Sequence, residues 1–157
     1  MPFRLHGAKL LFFNLGTCLK NRNYCTYRTL SKDEHVYLIN TRKFGGDATK
    51  EGASCQRVTL TGHGKGLLIY SDGYTAQVTN TMWIEIAEIP AGCIFLPAAG
   101  NRGGSSVSYV GSSGIYWSSS PYNATCAYYF LFGGSNVNPS INYDRYYGRS
   151  VRLFSEL

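Results

Sequence analysis

The stretch Ala127–Phe132, with the sequence AYYFLF, is the clearest strand in the chain and decides the predicted fold. Side chains alternate between two faces along a β-strand, so every second residue shares a face. One face has Tyr128, Phe130 and Phe132, and the other has Tyr129, Leu131 and Gly133. We expect the first set to pack in the core and the second set to be displayed outward.

Further short apolar or aromatic stretches, separated by small residues and turns, lie on both sides of this strand. The strand candidates are Val36–Ile39, Val58–Leu60, Gly66–Tyr70, Cys93–Leu96, Ser108–Val110, Ile115–Ser118 and Ser150–Phe154. Residues 81–87 have the apolar spacing of a short helix. Residues 140–148 show neither the helical period nor the two-residue period of a strand. The spacing favours a small twisted antiparallel sheet with one or two short helices and long loops, which is an α+β fold.

The chain has 157 residues and a net charge of +6, and this charge is unevenly distributed. Residues 1–65 contain eleven Lys and Arg against four acids, whereas residues 66–157 contain four Arg against five acids. The basic excess therefore belongs to a segment without a nucleic-acid-binding motif, and we do not expect nucleic acid as a functional ligand. We divide the chain into a basic N-terminal segment, 1–56, and a ligand-binding domain, 57–157.

The cysteines and the apolar runs indicate neither a metal site nor a membrane span. Five cysteines without a CxxC spacing predict neither a zinc site nor a complete disulfide framework. No apolar run reaches the roughly 18 residues of a transmembrane helix. The run from Leu10 to Cys18 loosely resembles a bacterial lipoprotein signal, but Asn14 interrupts its short apolar core and Thr17 is a poor residue before a lipidated cysteine.

Tyrosine is unusually frequent, with 13 residues, and many of them lie after residue 108 among Ser, Gly and Asn. A tyrosine side chain contributes a large amphipathic area with only two torsions to freeze, and Ser, Gly and Asn add adaptable hydrogen bonds. This mixture is typical of binding loops. We expect Tyr116 and Tyr128 in the core, and Tyr143, Tyr146 and Tyr147 in solvent.

Residues 89–155 contain no Lys, Glu, Gln or Met, although Lys and Glu are common in average proteins. Randomising the adenines of asparagine codons that end in a pyrimidine gives the same exclusion, because those codons cannot become Lys, Glu, Gln, Met or Trp codons. Residues 122–147 contain only the amino acids that this process permits. Chance, selection for binding and diversification at the gene level each account for this composition.

Four motifs give the chain a family resemblance: Phe95–Arg102 (FLPAAGNR), Gly111–Ser120 (GSSGIYWSSS), Asn136–Pro139 (NVNP) and Gly148–Leu153 (GRSVRL). Together they resemble the C-type-lectin-like domains of variable proteins diversified by retroelements, whose fold is related to that of the formylglycine-generating enzyme. The resemblance covers about residues 66–155.

The resemblance implies a fixed scaffold with a hypervariable ligand-binding face in a region of about 117–152. The ligand-binding residues that it implies are Tyr122, Asn123, Thr125, Cys126, Tyr129, Leu131, Gly133, Ser140, Ile141, Asn142, Tyr143, Asp144, Tyr146 and Tyr147. The expected function is non-enzymatic binding of a protein or surface-glycan target, at the cell surface or on a phage particle. An undiversified surface adhesin module of the same fold is the alternative.

Catalytic and metal-dependent functions find little support in the sequence. The related formylglycine-generating enzymes use a cysteine pair near the C-terminal end of the domain, where this chain has only Cys126, so an enzyme of that type is a third and weaker alternative. Hard cations require several carboxylates, and Asp144 is the only acid between Glu88 and Glu156. We therefore expect no catalytic residues, no metal and no cofactor.

Overall fold

The computed structural model describes residues 27–41, 55–70, 83–134 and 136–155. In chain order the strands are β1 (Tyr27–Thr29), β2 (Cys55–Leu60), β3 (Gly64–Ile69), β4 (Ile84–Ile86), β5 (Ile94–Pro97), β6 (Asn101–Gly103), β7 (Ser106–Ser108), β8 (Gly114–Pro121), β9 (Cys126–Phe132), β10 (Val137–Asp144), β11 (Gly148–Arg149) and β12 (Leu153–Ser155). One α-helix, α1 (Lys32–Val36), continues into a π-helical turn (Tyr37–Thr41). The lipoprotein-like run at Leu10–Cys18 lies outside the described residues.

The expected α+β class, with a C-type-lectin-like fold built on one small sheet and one or two helices, is wrong. The described part of the chain is mostly β, with a single five-residue α-helix and four sheets. The strand orders are β1-β12, β10-β9-β8, β11-β6-β7 and β4-β2-β3-β5. Short aromatic and β-branched segments that alternate with glycine-rich turns favour several small sheets over helices, because such residues pack well on pleated surfaces.

The central strand of the β8-β9-β10 sheet is β9, and both of its neighbours run antiparallel to it. Phe130 and Phe132 are buried, as the alternation of β9 predicts, whereas Tyr128, which was also expected in the core, is half-buried. The β9–β10 ladder shifts register between Asn138 and Ile141, around Pro139. Proline has no N–H to donate to a ladder, so an irregularity at this place follows from the sequence. The strand β10 includes residues 140–144, whose sequence shows neither the helical nor the strand period.

The sheet β4-β2-β3-β5 is covered on both faces. Leu67, Ile69 and Leu96 belong to the main core, together with Phe130 and Phe132. The opposite face has a second buried cluster of Val58, Leu68 and Tyr70, with Phe95 packed against it. Burial on both faces explains why β3 ends in three consecutive apolar residues, Leu67–Ile69, instead of alternating.

The helix α1 begins at a capping box, in which the Ser31 hydroxyl accepts a hydrogen bond from the backbone N–H of Glu34 and the Glu34 carboxylate accepts one from the N–H of Ser31. Hydrogen bonding to Arg28 holds the pKa of Glu34 at about 2. The helix packs against β8, β9 and β10.

Residues 27–41 share the core of the C-terminal residues. Leu30, Leu38 and Ile39 are buried in the main core, and the Leu30 carbonyl accepts a hydrogen bond from Ser119 N. The prediction of a strand over Val36–Ile39 was wrong, because these residues complete α1 and enter the π-helical turn.

The prediction of a helix over 81–87 was also wrong, since Ile84–Ile86 forms β4 and runs parallel to β2. Its isoleucines lose side-chain freedom in a helix but fit the edge of a sheet, so pairing with β2 outweighs a weak helical pattern. No helix among the residues described has the length and apolar character needed to cross a membrane.

His35 of α1 is buried against Phe130, at 5.6 Å between ring centroids, and its Nδ1 has no hydrogen-bond partner in the described part of the chain. Both residues line a cavity of about 10 Å³, which has room for roughly one water molecule. Burial lowers the pKa of His35 from 6.5 to about 4, because the charged imidazole would lose its hydration.

Replacement of Gly100 by Ala should destabilise the protein more than replacement of Gly104. Both glycines have a positive φ (68° and 58°), so each substitution costs about 1–2 kcal/mol of backbone strain. A Cβ at Gly100 would also lie 2.1 Å from the Ser108 carbonyl oxygen, whereas nothing lies within 4 Å of one at Gly104. Urea denaturation should therefore show at least about 1 kcal/mol of extra loss for Gly100→Ala, and equal losses would contradict the close approach.

Stability should fall as the pH is lowered from about 6.5 to 4, since over this range the unfolded chain binds a proton at His35 and the folded chain does not. The pKa difference corresponds to about 3 kcal/mol. Protonation of Glu34 should lower the stability further at more acidic pH, between about pH 4.5 and pH 2. Urea denaturation at stepped pH should show that His35→Leu removes the upper slope. His63→Gln, at an exposed histidine, is the control, and a slope that persists in His35→Leu would contradict this origin.

Candidate functional site

The outer face of the β8-β9-β10 sheet has a cluster of aromatic rings around one guanidinium, which we call the Arg149 cluster. It consists of Trp117, Tyr129, Tyr143, Tyr147 and Arg149. The guanidinium carbon lies 3.8 Å from the ring centroid of Tyr129 and 4.2 Å from that of Trp117. The rings of Tyr143 and Tyr147 follow at 5.3 and 5.7 Å. All four rings are within the distance at which a cation is attracted to an aromatic face.

Strand pairing brings the cluster together from separated parts of the chain. Trp117 of β8 lies opposite Tyr129 of β9, and their rings meet edge to face at 6.0 Å. The backbone N–H of Trp117 donates to the Ser150 carbonyl at 2.9 Å, which places Arg149 beside these rings.

The guanidinium of Arg149 has few polar partners. Its Nε and Nη1 are enclosed and have no hydrogen-bond acceptor among the residues described. Burial lowers the pKa of Arg149 from its usual value, although nearby tyrosines and Asp144 oppose that shift. The aromatic faces therefore provide the main compensation for the enclosed cation.

Tyr146 extends the Arg149 cluster into solvent. Its ring stacks on Tyr147 at 4.6 Å, and Tyr147 meets Tyr143 edge to face at 5.1 Å. Hydrogen bonding with Tyr147 raises the pKa of Tyr146 to about 12 and raises that of Tyr143 as well. The three tyrosines therefore interact through both their rings and their hydroxyl groups.

Arg145 connects the β8–β9 turn to the β10–β11 turn. Its Nη2 donates to the Asn123 carbonyl at 2.8 Å and its Nε to the Cys126 carbonyl at 3.1 Å. The Asn123 side chain in turn accepts hydrogen bonds from the backbone N–H groups of Thr125 and Cys126. The two turns, which contain the predicted binding residues Tyr122, Asn123, Thr125, Tyr146 and Tyr147, are thereby fixed at one end of the sheet.

The predicted binding residues differ in exposure. Tyr122, Asn123, Thr125, Ser140, Tyr143 and Tyr146 are exposed; Cys126, Leu131, Ile141, Asn142, Asp144 and Tyr147 are half-buried; Tyr129 and Gly133 are buried. Tyr146 is the most exposed of the tyrosines among them, at 73%. The Cys126 thiol donates to the Asp144 carboxylate at 3.4 Å and is not freely displayed.

The expected display of Tyr129 and Gly133 is not observed. Tyr129 does lie on the face opposite Phe130, but Arg149 and Trp117 cover it and leave 9% of it exposed. Gly133 lies close to Ser113, whose Oγ would be 3.1 Å from an added Cβ. Alternation along a strand determines which face a residue is on, whereas neighbouring strands determine whether that face is covered.

Sequence reasoning missed Arg149 and Trp117 as members of the site. Trp117 lies in the strand candidate Ile115–Ser118 and Arg149 lies just beyond the tyrosine-rich stretch, so neither was among the predicted binding residues. A useful signal was the absence of a neighbouring acid: Asp144 is the only carboxylate in residues 100–155, where four arginines occur. In the described part of the chain, no three His, Cys, Asp or Glu side chains form a possible metal site.

Replacement of Tyr129 by Ala should destabilise the fold, whereas replacement of Tyr146 should not. Loss of a buried aromatic ring lowers the free energy of unfolding by about 3–5 kcal/mol. Loss of an exposed ring changes it by no more than about 0.5 kcal/mol. Tyr129→Phe, which keeps the ring under Arg149, should stay close to the unmodified protein. Chemical denaturation measures all three, and a Tyr129→Ala protein as stable as Tyr146→Ala would show that this ring is not covered.

Comparison with known families finds one match, to a domain of unknown function, DUF8237, over residues 70–154. The matched region begins at the end of β3 and contains every member of the Arg149 cluster. No curated protein and no solved structure gives a match. Because the family covers more than half of the chain, this protein belongs to the DUF8237 family.

Proposed function

We propose that this protein is a non-enzymatic ligand-binding protein whose exposed tyrosine-rich surface is varied between gene copies by a diversity-generating retroelement. The observation that supports this most directly is the exposure of Tyr143 and Tyr146, at 46% and 73%, above rings that are themselves held in place. Display at the cell surface or on a phage particle belongs to the same proposal.

The rigidity of this surface favours binding. Tyr147 packs on both exposed rings, and Arg149 lies against Tyr143 and Tyr147. A side chain that is already fixed before binding loses less conformational entropy when a partner covers it. Aromatic side chains that become buried at an interface commonly dominate its affinity.

Diversification is favoured by the composition of the chain together with the placement of the core. Residues 122–147 contain only amino acids that adenine randomisation of asparagine codons permits, yet Phe130 and Phe132 within that range are in the core. The exposed positions, in contrast, lie on the two turns that Arg145 fixes and on β10. A scaffold of this kind tolerates exchange at the exposed positions because the core does not depend on them.

Sequencing this gene across isolates and gene copies tests the proposal. We expect amino-acid replacements to concentrate at exposed positions such as Tyr122, Ser140, Tyr143 and Tyr146, at adenines of a template copy that lies near a reverse transcriptase gene. Phe130 and Phe132, within the same region, are matched positions that should stay constant.

Replacements spread evenly over Phe130, Phe132 and the exposed tyrosines would contradict a diversified binding surface. A constant sequence without a template copy or reverse transcriptase gene would instead favour a surface adhesin module with one fixed partner.

A further inference from the structure

We propose that Arg149 anchors a carboxylate of the bound partner, and that this carboxylate is an Asp or Glu side chain of a protein. The inference rests on the proposed function and specifies the chemistry of its ligand. It assigns a specificity-determining role to a residue that lies outside the set predicted from the sequence.

The guanidinium of Arg149 has donors without acceptors. Nε and Nη1 are enclosed and unpaired in the described part of the chain, and Nη2 is not among the enclosed nitrogens. Neither of the ion pairs Arg28–Glu34 and Lys32–Asp33 involves Arg149. A guanidinium binds a carboxylate through charge-assisted hydrogen bonds, and Nη2 is the nitrogen that an external ligand can reach, so a partner's carboxylate would bind there.

The rings around Arg149 restrict how its ligand can approach. Tyr129 and Trp117 lie within 4.2 Å of the guanidinium carbon, and Tyr143 and Tyr147 lie within 5.7 Å. Aromatic packing orients the planar guanidinium and lowers the entropy lost when its N–H groups bind.

The charge of the surrounding chain favours an acidic ligand. Residues 100–155 contain Arg102, Arg145, Arg149 and Arg152 against the single acid Asp144. That carboxylate is already an acceptor for the Cys126 thiol. Complementary charge raises the association rate and excludes partners of like charge.

The form of the surface favours a protein over a sugar or a small metabolite. Tyr143 and Tyr146 are exposed, and both of their rings contact that of Tyr147. Small ligands are bound in concave pockets, whereas projecting tyrosines with neighbouring Ser and Asn are typical of surfaces that bind proteins.

A pair of capped amino acids tests the inference by NMR titration of the isotope-labelled protein at constant ionic strength. The probes are N-acetyl-glutamate amide and N-acetyl-glutamine amide, which differ only in the side-chain carboxylate. We expect the glutamate probe to bind about five- to tenfold more tightly. The largest shift changes in the unmodified protein should occur at the Arg149 Nε–H and the Trp117 indole N–H.

Two substitutions locate the effect. Arg149→Gln should abolish the preference for the glutamate probe, whereas Arg102→Gln, at an exposed arginine of β6, should retain it. If Arg149→Gln fails to fold, Arg149→Lys keeps the charge without the fork and should still reduce the preference severalfold. The shift changes of the unmodified protein decide the outcome independently of every variant.

Equal binding of the two probes, or shift changes centred away from Arg149, would overturn the carboxylate assignment. An equal loss of the preference for the glutamate probe in Arg102→Gln would also overturn this assignment, because it would show a diffuse attraction between charges. Tighter binding of D-glucuronate than of the glutamate probe would overturn the assignment to a protein. None of these results would contradict the proposal of a diversified surface, because that proposal is tested by the pattern of replacements in the gene.

Discussion

The enclosure of Phe130 and Phe132 is the constraint on which the rest of the structure depends. These two rings leave β9 on one face and lie in a core that includes Leu67 and Leu96 of the four-stranded sheet. The Phe132 ring occupies the space in front of Gly114, where an added Cβ would lie 2.1 Å from it. Burial of large apolar rings is a dominant favourable contribution to folding. A β9 strand that turned over or slipped by one residue would move both rings to the opposite face and lose this contribution.

This orientation of β9 directs Tyr129 to the opposite face, where Trp117 and Arg149 meet it. A guanidinium on aromatic rings combines two properties that a binding surface needs. Its attraction to the rings fixes their positions, and its hydrogen-bond donors remain unused by the described residues. The desolvation of the cation opposes folding, as the lowered pKa of Arg149 indicates, so the arrangement is costly for stability alone. A role in recognition gives a physical reason for keeping it.

Sequence reasoning was most successful where a pattern depends on local geometry. The burial of Phe130 and Phe132 follows from the two-residue period of a strand, and the strands β2, β3, β5, β8 and β9 lie close to where apolar runs predicted them. It failed where contacts with distant segments of the chain decide the secondary structure. Ile84–Ile86 is a strand only because β2 is available beside it, and β10 has no clear period because Pro139 interrupts its register.

By itself, the sequence determined the strands β8 and β9, the two faces of β9 and the high frequency of tyrosine after residue 108, because these depend on residue type and spacing alone. Only the tertiary structure decided that residues 27–41 complete the core, that the class is mostly β, and that Tyr129 is covered while Tyr143 and Tyr146 are exposed. The exposure of a side chain depends on which distant segments pack over it. Arg149 lies 20 residues from Tyr129 and 32 from Trp117, and no local period relates these positions.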